Sequence, residues 1–94
     1  MPSTDVTARI ISPKISEALG QNVIVENRGG ASSIIGSDLV AKSPADGYTI
    51  LISPLPFSAL PALYGSKLPY DAVKDFQPLI WAGSTQNALV INND

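Results

Sequence analysis

The chain has 94 residues, 45% apolar and 15% charged, with six Lys/Arg against eight Asp/Glu for a net charge of −2. That length fits one domain and not two, and with no basic excess to neutralise phosphates a nucleic-acid partner is not expected. With no Cys and no His there is no disulfide, no thiolate metal site, no Ser–His–Asp triad and no imidazole base, so neither an enzyme nor a metal protein is expected.

The first helix is predicted over residues 6–19. Val6, Ile10, Ile11, Ile15, Ala18 and Leu19 recur at helical spacing and form one apolar stripe. Asp5 or Thr4 is placed to cap the first N–H groups, and Gly20 to end the helix. Pro13 removes one i→i−4 bond and predicts a kink. Val23-Ile24-Val25 reads as a short buried strand. Residues 27–33 are loop chemistry, and a second helix is predicted over 33–42, burying Ile34, Ile35, Leu39, Val40 and Ala41. Asp46-Gly47 signals a turn, and 48–52 a strand. Residues 53–56, with two prolines, form a loop. One or two helical turns over 57–64, interrupted near Pro61, lead to an extended link at 67–71 and a single turn at 72–76. Residues 79–83 and 88–91 read as two further strands, with Trp81 packed in the core. The order α-β-α-β-α-β-β predicts an α/β layered fold with a mostly parallel sheet. No apolar run approaches the ~20 residues that span a bilayer, so membrane insertion is not expected. Residues 1–5 lack the basic and apolar regions of a secretory signal.

The segment most suited to chemistry is the loop Arg28, Gly29, Gly30, Ala31, Ser32, Ser33 ahead of the second helix. Free N–H groups and a partial positive charge at a helix N-terminus attract carboxylates and phosphates. The glycines allow close backbone approach, the serines add hydroxyls, and Arg28 offers a fork for a carboxylate. The loop has neither the Gly-Lys-Ser/Thr of a P-loop nor the Gly-x-Gly-x-x-Gly of a dinucleotide fold. An ordinary tight connection with serine capping accounts for the same residues. Ser3, Thr4 and Asp5 form a second helix start of this kind, with simple capping as its plainer reading. Ser53 and Ser84 lie just past predicted strands, where ligands bind in open α/β sheets. Asp71 and Asp75, with Lys74 beside them, fit a solvated loop better than an acid–base pair.

The strings Lys14-Ile15-Ser16-Glu17-Ala18-Leu19-Gly20-Gln21, Glu26-Asn27-Arg28, Ile35-Gly36, Asp46-Gly47-Tyr48-Thr49, Leu68-Pro69-Tyr70-Asp71 and Lys74-Asp75-Phe76-Gln77-Pro78-Leu79 occur in order along nearly the whole chain. In this the chain resembles the receptors of tripartite tricarboxylate transporters, the Bordetella uptake (Bug) solute-binding proteins. The resemblance implies a periplasmic binding protein of two hinged α/β lobes. Such a protein captures small carboxylates through loop N–H groups and hydroxyls and passes them to a membrane permease, without enzymatic activity or a cofactor. Here Ser32 and Ser33 stand where the family usually has glycines, Ile34 where it has a polar residue, and Pro54, Leu55 and Pro56 follow Ser53. The matched strings cover only the front of the first lobe, without the strand that precedes its first helix.

The expected fold is therefore a partial periplasmic-binding-protein-like lobe, residues 1–94 forming one domain that resembles a truncated lobe 1. The expected function is to bind small organic carboxylates weakly if at all, through Ser3, Thr4, Asp5, Arg28, Gly29, Gly30, Ala31, Ser32, Ser33, Ser53 and Ser84. The alternative is a rearranged remnant that self-associates without a small-molecule ligand. In the family the absent strand lies between those matching 23–25 and 48–52, so its loss exposes strand edges and predicts a homo-oligomer, with elements exchanged between copies. Permease contact is implied only for full-length members. The resemblance implies a periplasmic location, and a cytoplasmic one if Met1 is the native start.

Overall fold

A computed structural model describes residues 3–30, 33–54, 56–84 and 88–93. In chain order it contains helix α1 (Ser3–Leu19), helix α2 (Ile34–Ala41), helix α3 (Pro56–Tyr64) and a 3₁₀ turn (Gly65–Lys67).

Helix α1 starts three residues before the predicted range and runs continuously through Pro13. Gly20 ends it in the left-handed conformation (φ 68°), as the sequence leads one to expect. Its buried face differs from the predicted stripe. Asp5, Ala8 and Ser12 are buried, whereas Val6, Ile10 and Leu19 are exposed. The small polar face is drawn in by specific bonds: Asp5 accepts from the side chain of Asn27, and the Ser16 hydroxyl accepts from the Val23 N–H at 2.8 Å. Both bonds tie α1 to residues 23–27, and of the predicted stripe only Ile11 and Ile15 are half-buried.

Helix α2 repeats this inversion. Ser37 is fully buried, while Ile35 and Leu39, predicted to be inside, are about half exposed. The reason is close approach to the preceding loop. A Cβ added at Gly36 would lie 3.0 Å from the Arg28 carbonyl oxygen and 3.6 Å from the Arg28 Cβ. Any larger side chain would push against the Arg28 backbone, which would have to give by a few tenths of an ångström.

Helix α3 begins at Pro56, a residue suited to a first helical position. It continues through Pro61, where an interruption is predicted. Leu60 is 1% exposed and is the largest fully buried side chain among the described residues. Phe57, Tyr70 and Phe76 pack around one another, Phe57 stacked on Tyr70 at 6.1 Å and Phe76 edge-on to both at 5.3 and 5.5 Å. These edge-to-face contacts suit the ring quadrupoles. The turn that brings Phe76 back is closed by two aspartates. Asp71 Oδ1 accepts from the Val73 and Lys74 N–H groups at 2.9 Å, and Asp75 Oδ2 accepts from the Asp71 N–H at 2.7 Å. This is a reciprocal capping arrangement. It matches the predicted single turn and the solvated reading of the two carboxylates.

The predicted α/β lobe is not what the chain forms. Among the described residues there is no strand: 23–25, 48–52, 79–83 and 88–91 take part in no ladder. A β-branched run favours an extended path, but a strand exists only where a second run pairs with it about 4.8 Å away, and among the described residues none of these runs is paired with another. Most of their side chains face solvent instead, with Val25, Leu51 and Ile52 half-buried. Trp81, expected in the core, is 82% exposed, and Leu89 is 96% exposed. The radius of gyration is 15.3 Å and the accessible surface 7914 Å².

Candidate functional site

The loop from Asn27 into α2 and the first turn of α1 are brought together, because the Asn27 side chain donates to the Asp5 carboxylate. Asp5 is 4% exposed, and Arg9 Nε donates to its Oδ1 at 3.0 Å. The Asn27 hydrogen bond is the main cause holding the Asp5 carboxyl below its ordinary pKa, with the Arg9 hydrogen bond and charge adding to it against the effect of burial. Asp5 therefore serves as a latch between α1 and the loop and carries a fixed negative charge beside it.

Arg28 is engaged locally. Its Nε donates to Glu26 Oε1 at 2.6 Å, and its Nη2 is ion-paired with the same oxygen. Both side chains are more than half exposed, so the pair is a surface one of small energetic weight. Gly29 has open space where a Cβ would be, and Gly30 holds φ at 122°. Ala31 and Ser32 lie outside the described residues. Ser33 occupies the N-cap position of α2 with φ 75° and makes no side-chain capping bond. Its N–H donates to the Gly30 carbonyl at 3.0 Å. The expected serine cap is thus not made by Ser33. A left-handed N-cap departs from the extended backbone of a capping serine. The first N–H groups of α2 accordingly receive no hydroxyl from Ser33.

The remaining predicted residues are scattered. Ser3 and Thr4 belong to the first turn of α1. Ser53 and Ser84 are exposed, and no hydrogen bond joins either to the loop among the described residues. Two residues that sequence reasoning did not single out matter more. Asn27 supplies the bond to Asp5, and Gly36 allows α2 to sit against Arg28. A glycine in a helix interior, costing about 1 kcal/mol relative to Ala, was the available signal for that close approach. Beyond the loop, Lys42 at the end of α2 is ion-paired with Asp38 and donates to the Pro69 carbonyl at 3.0 Å.

An open concavity of about 450 Å³ lies elsewhere, bounded by Pro61, Leu68, Tyr70, Asp71, Val73 and Asp75. Its two carboxylates repel an anion, and both are occupied in capping. Among the described residues no cluster of acidic side chains could hold a metal ion, and no helix is long and apolar enough to cross a membrane.

Residues 7–94 match the family model of the tripartite tricarboxylate transporter family receptor. The chain is 45% identical over 92 residues to the UPF0065 protein in the tcbD-tcbE intergenic region of Pseudomonas sp. strain P51, covering 98% of this chain and 27% of that protein. It is 43% identical over 94 residues to protein BugT of Bordetella pertussis, covering 96% of this chain and 28% of BugT. It is 35% identical over 92 residues to a UPF0065 protein of Cupriavidus necator, at 98% and 28% coverage. The chain thus spans little more than a quarter of the length of these relatives. No solved structure matches it. The matches run through the Asn27 loop, Gly36 and the Asp71–Asp75 cap alike, and the chain belongs to the tripartite tricarboxylate transporter receptor family, a family of solute-binding proteins rather than enzymes.

Proposed function

We propose that residues 1–94 act as one unit, the front part of a transport receptor, and bind small organic carboxylates weakly at the 28–33 loop. The observation that carries this reading is the start of α2. Ser33 makes no side-chain capping bond to the first helical N–H groups, and Gly29 presents open backbone ahead of them. A carboxylate suits such groups by hydrogen bonding and by the helix dipole. Weak binding follows from the surrounding charges. Arg28 is held by Glu26, and the Asp5 carboxylate is fixed nearby by Asn27 and Arg9. In a full-length receptor the loop would act in the periplasm and deliver its ligand to a permease.

Titration calorimetry with citrate, glutamate and benzoate tests the reading. Millimolar binding of at least one, weakened by salt and lost in Gly30→Val, is the expected result. Absence of heat with all three overturns it. A second reading, a self-associating domain without a small-molecule ligand, is favoured by one observation: the apolar runs of the chain lie on its surface.

A further inference from the structure

Asp46-Gly47 is the sole Asp-Gly step in the chain, and there is no Asn-Gly. The pair stands between α2 and residues 48–52, and Asp46, Gly47 and Tyr48 are all exposed. Asp46 Oδ1 accepts from the Tyr48 N–H at 3.0 Å. That bond folds the carboxyl back toward the peptide nitrogen of Gly47, which lies between the two bonded residues. Gly47 has open space where a Cβ would be and holds φ at 82°, so no side chain shields its nitrogen. Among the described residues no backbone hydrogen bond engages Gly47. A carboxyl carbon and an open, unbonded amide nitrogen on the next residue are the two halves of a cyclic imide.

The other described aspartates each lack part of this arrangement. Asp5 and Asp38 lie within helices, where the backbone is fixed, and Val6 and Leu39 follow them. Asp71 bonds the Val73 N–H as Asp46 bonds Tyr48, but it is held by the Lys74 N–H as well, and the Cβ of Ala72 crowds the nitrogen it would have to meet. Asp75 is bonded to the Asp71 N–H and is followed by the bulky Phe76.

We propose that Asp46-Gly47 is a site of spontaneous backbone modification, at which Asp46 converts to isoaspartate. The Gly47 nitrogen attacks Asp46 Cγ. An N–Cγ bond forms, the Cγ–OH bond breaks, and the hydroxyl leaves with the amide proton as water. Solvent water then adds to either carbonyl of the imide. Opening at Cγ restores Asp46, whereas opening at the original main-chain carbonyl leaves the chain running through Cβ. Nothing is oxidised or reduced, and water is the sole co-reactant. The product has one more methylene in its backbone and its carboxylate on Cα, so the turn leading out of α2 is lengthened with no change in mass. The site depends neither on carboxylate binding nor on self-association.

Peptide mapping by mass spectrometry after prolonged warm incubation of the whole chain at neutral pH tests the proposal. Isoaspartate is expected at residue 46 and not at 5, 38, 71 or 75. Its rate of formation in the native chain is expected to match that in the guanidinium-unfolded chain within about twofold, because a segment that opens at no cost reacts as the unfolded chain does. Asp46→Glu is expected to give no isomer, since its imide ring would be one atom larger. Gly47→Ala is expected to react severalfold more slowly. Asp46→Asn is expected to give the same product faster, with ammonia leaving in place of water. Absence of the isomer at 46 in the native chain while the unfolded chain forms it overturns the proposal. Equal accumulation at Asp71, or an unchanged rate in Gly47→Ala, also overturns it.

Discussion

Residues 56–76 and residues 77–93 have similar apolar content and opposite fates. In the first region Leu60 is fully buried and Phe57, Tyr70 and Phe76 enclose one another. In the second, Trp81 and Leu89 stand in solvent. The difference lies in how far a side chain must reach for a partner. The aromatic cluster closes within twenty residues, and its return path is set by local devices: a left-handed Gly65 and the mutual capping of Asp71 and Asp75. Closing a short loop costs little entropy. The runs at 79–83 and 88–91 have no such local partner, so their burial needs a distant segment or a second molecule.

The largest test of this contrast is Leu60→Ala. It is expected to destabilise the chain by about 2–5 kcal/mol, the usual cost of emptying a core leucine site. Leu89→Ala, measured in the same urea titration on monomeric protein, is expected to change stability by less than about 0.5 kcal/mol. Equal effects would remove the distinction between the two regions.

Next comes Gly36→Val, where the new side chain meets the Arg28 carbonyl. A loss of about 1–3 kcal/mol is expected from overpacking, read from the denaturation midpoint. Ser37→Ala on the same helix works the other way. The Ser37 hydroxyl is buried without a hydrogen-bond partner, so its removal is expected to stabilise by up to about 1 kcal/mol, with Ala the better helix former. A destabilised Ser37→Ala would mean that the hydroxyl has a partner.

The smallest effect is in pH dependence. The Lys74 and Val73 N–H groups bonded to the Asp71 carboxylate hold its pKa below the ordinary 3.8. A carboxyl lowered on folding stabilises the native state above 3.8, and that contribution disappears as pH falls through the lowered native value. Thermal melts between pH 5 and 2 should show a modest drop in stability that is reduced in Asp71→Asn. The Asp5 carboxyl is lowered in the same sense by Asn27 and Arg9 and adds to the slope.

The positions of the helices were legible in the sequence because their signals are local. Gly20 ends α1 in the left-handed conformation, Asp46-Gly47 makes its turn with the Tyr48 N–H donating to Asp46 Oδ1 at 3.0 Å, and the turn after Asp71 forms where predicted. The interruption predicted near Pro61 is absent: Pro61 lies inside α3, where one missing N–H is tolerated beside a buried Leu60. Of the candidate site, the loop and its glycines were legible, while the Asp5–Asn27 bond was not. Side chains far apart in sequence carry no spacing signal that pairs them.

Taken alone, the sequence determined the helical segments, their stops and the family, because capping, turn chemistry and motif strings are properties of neighbouring residues. Only the tertiary structure decided which faces are inside. Helical spacing marks an apolar stripe on α1, yet hydrogen bonds to Val23 and Asn27 turn its small polar face inward, and Gly36 draws α2 onto Arg28. Strand formation was likewise beyond the sequence. A β-branched run fixes a preference, but a ladder requires two runs side by side in register, and among the described residues no two runs pair.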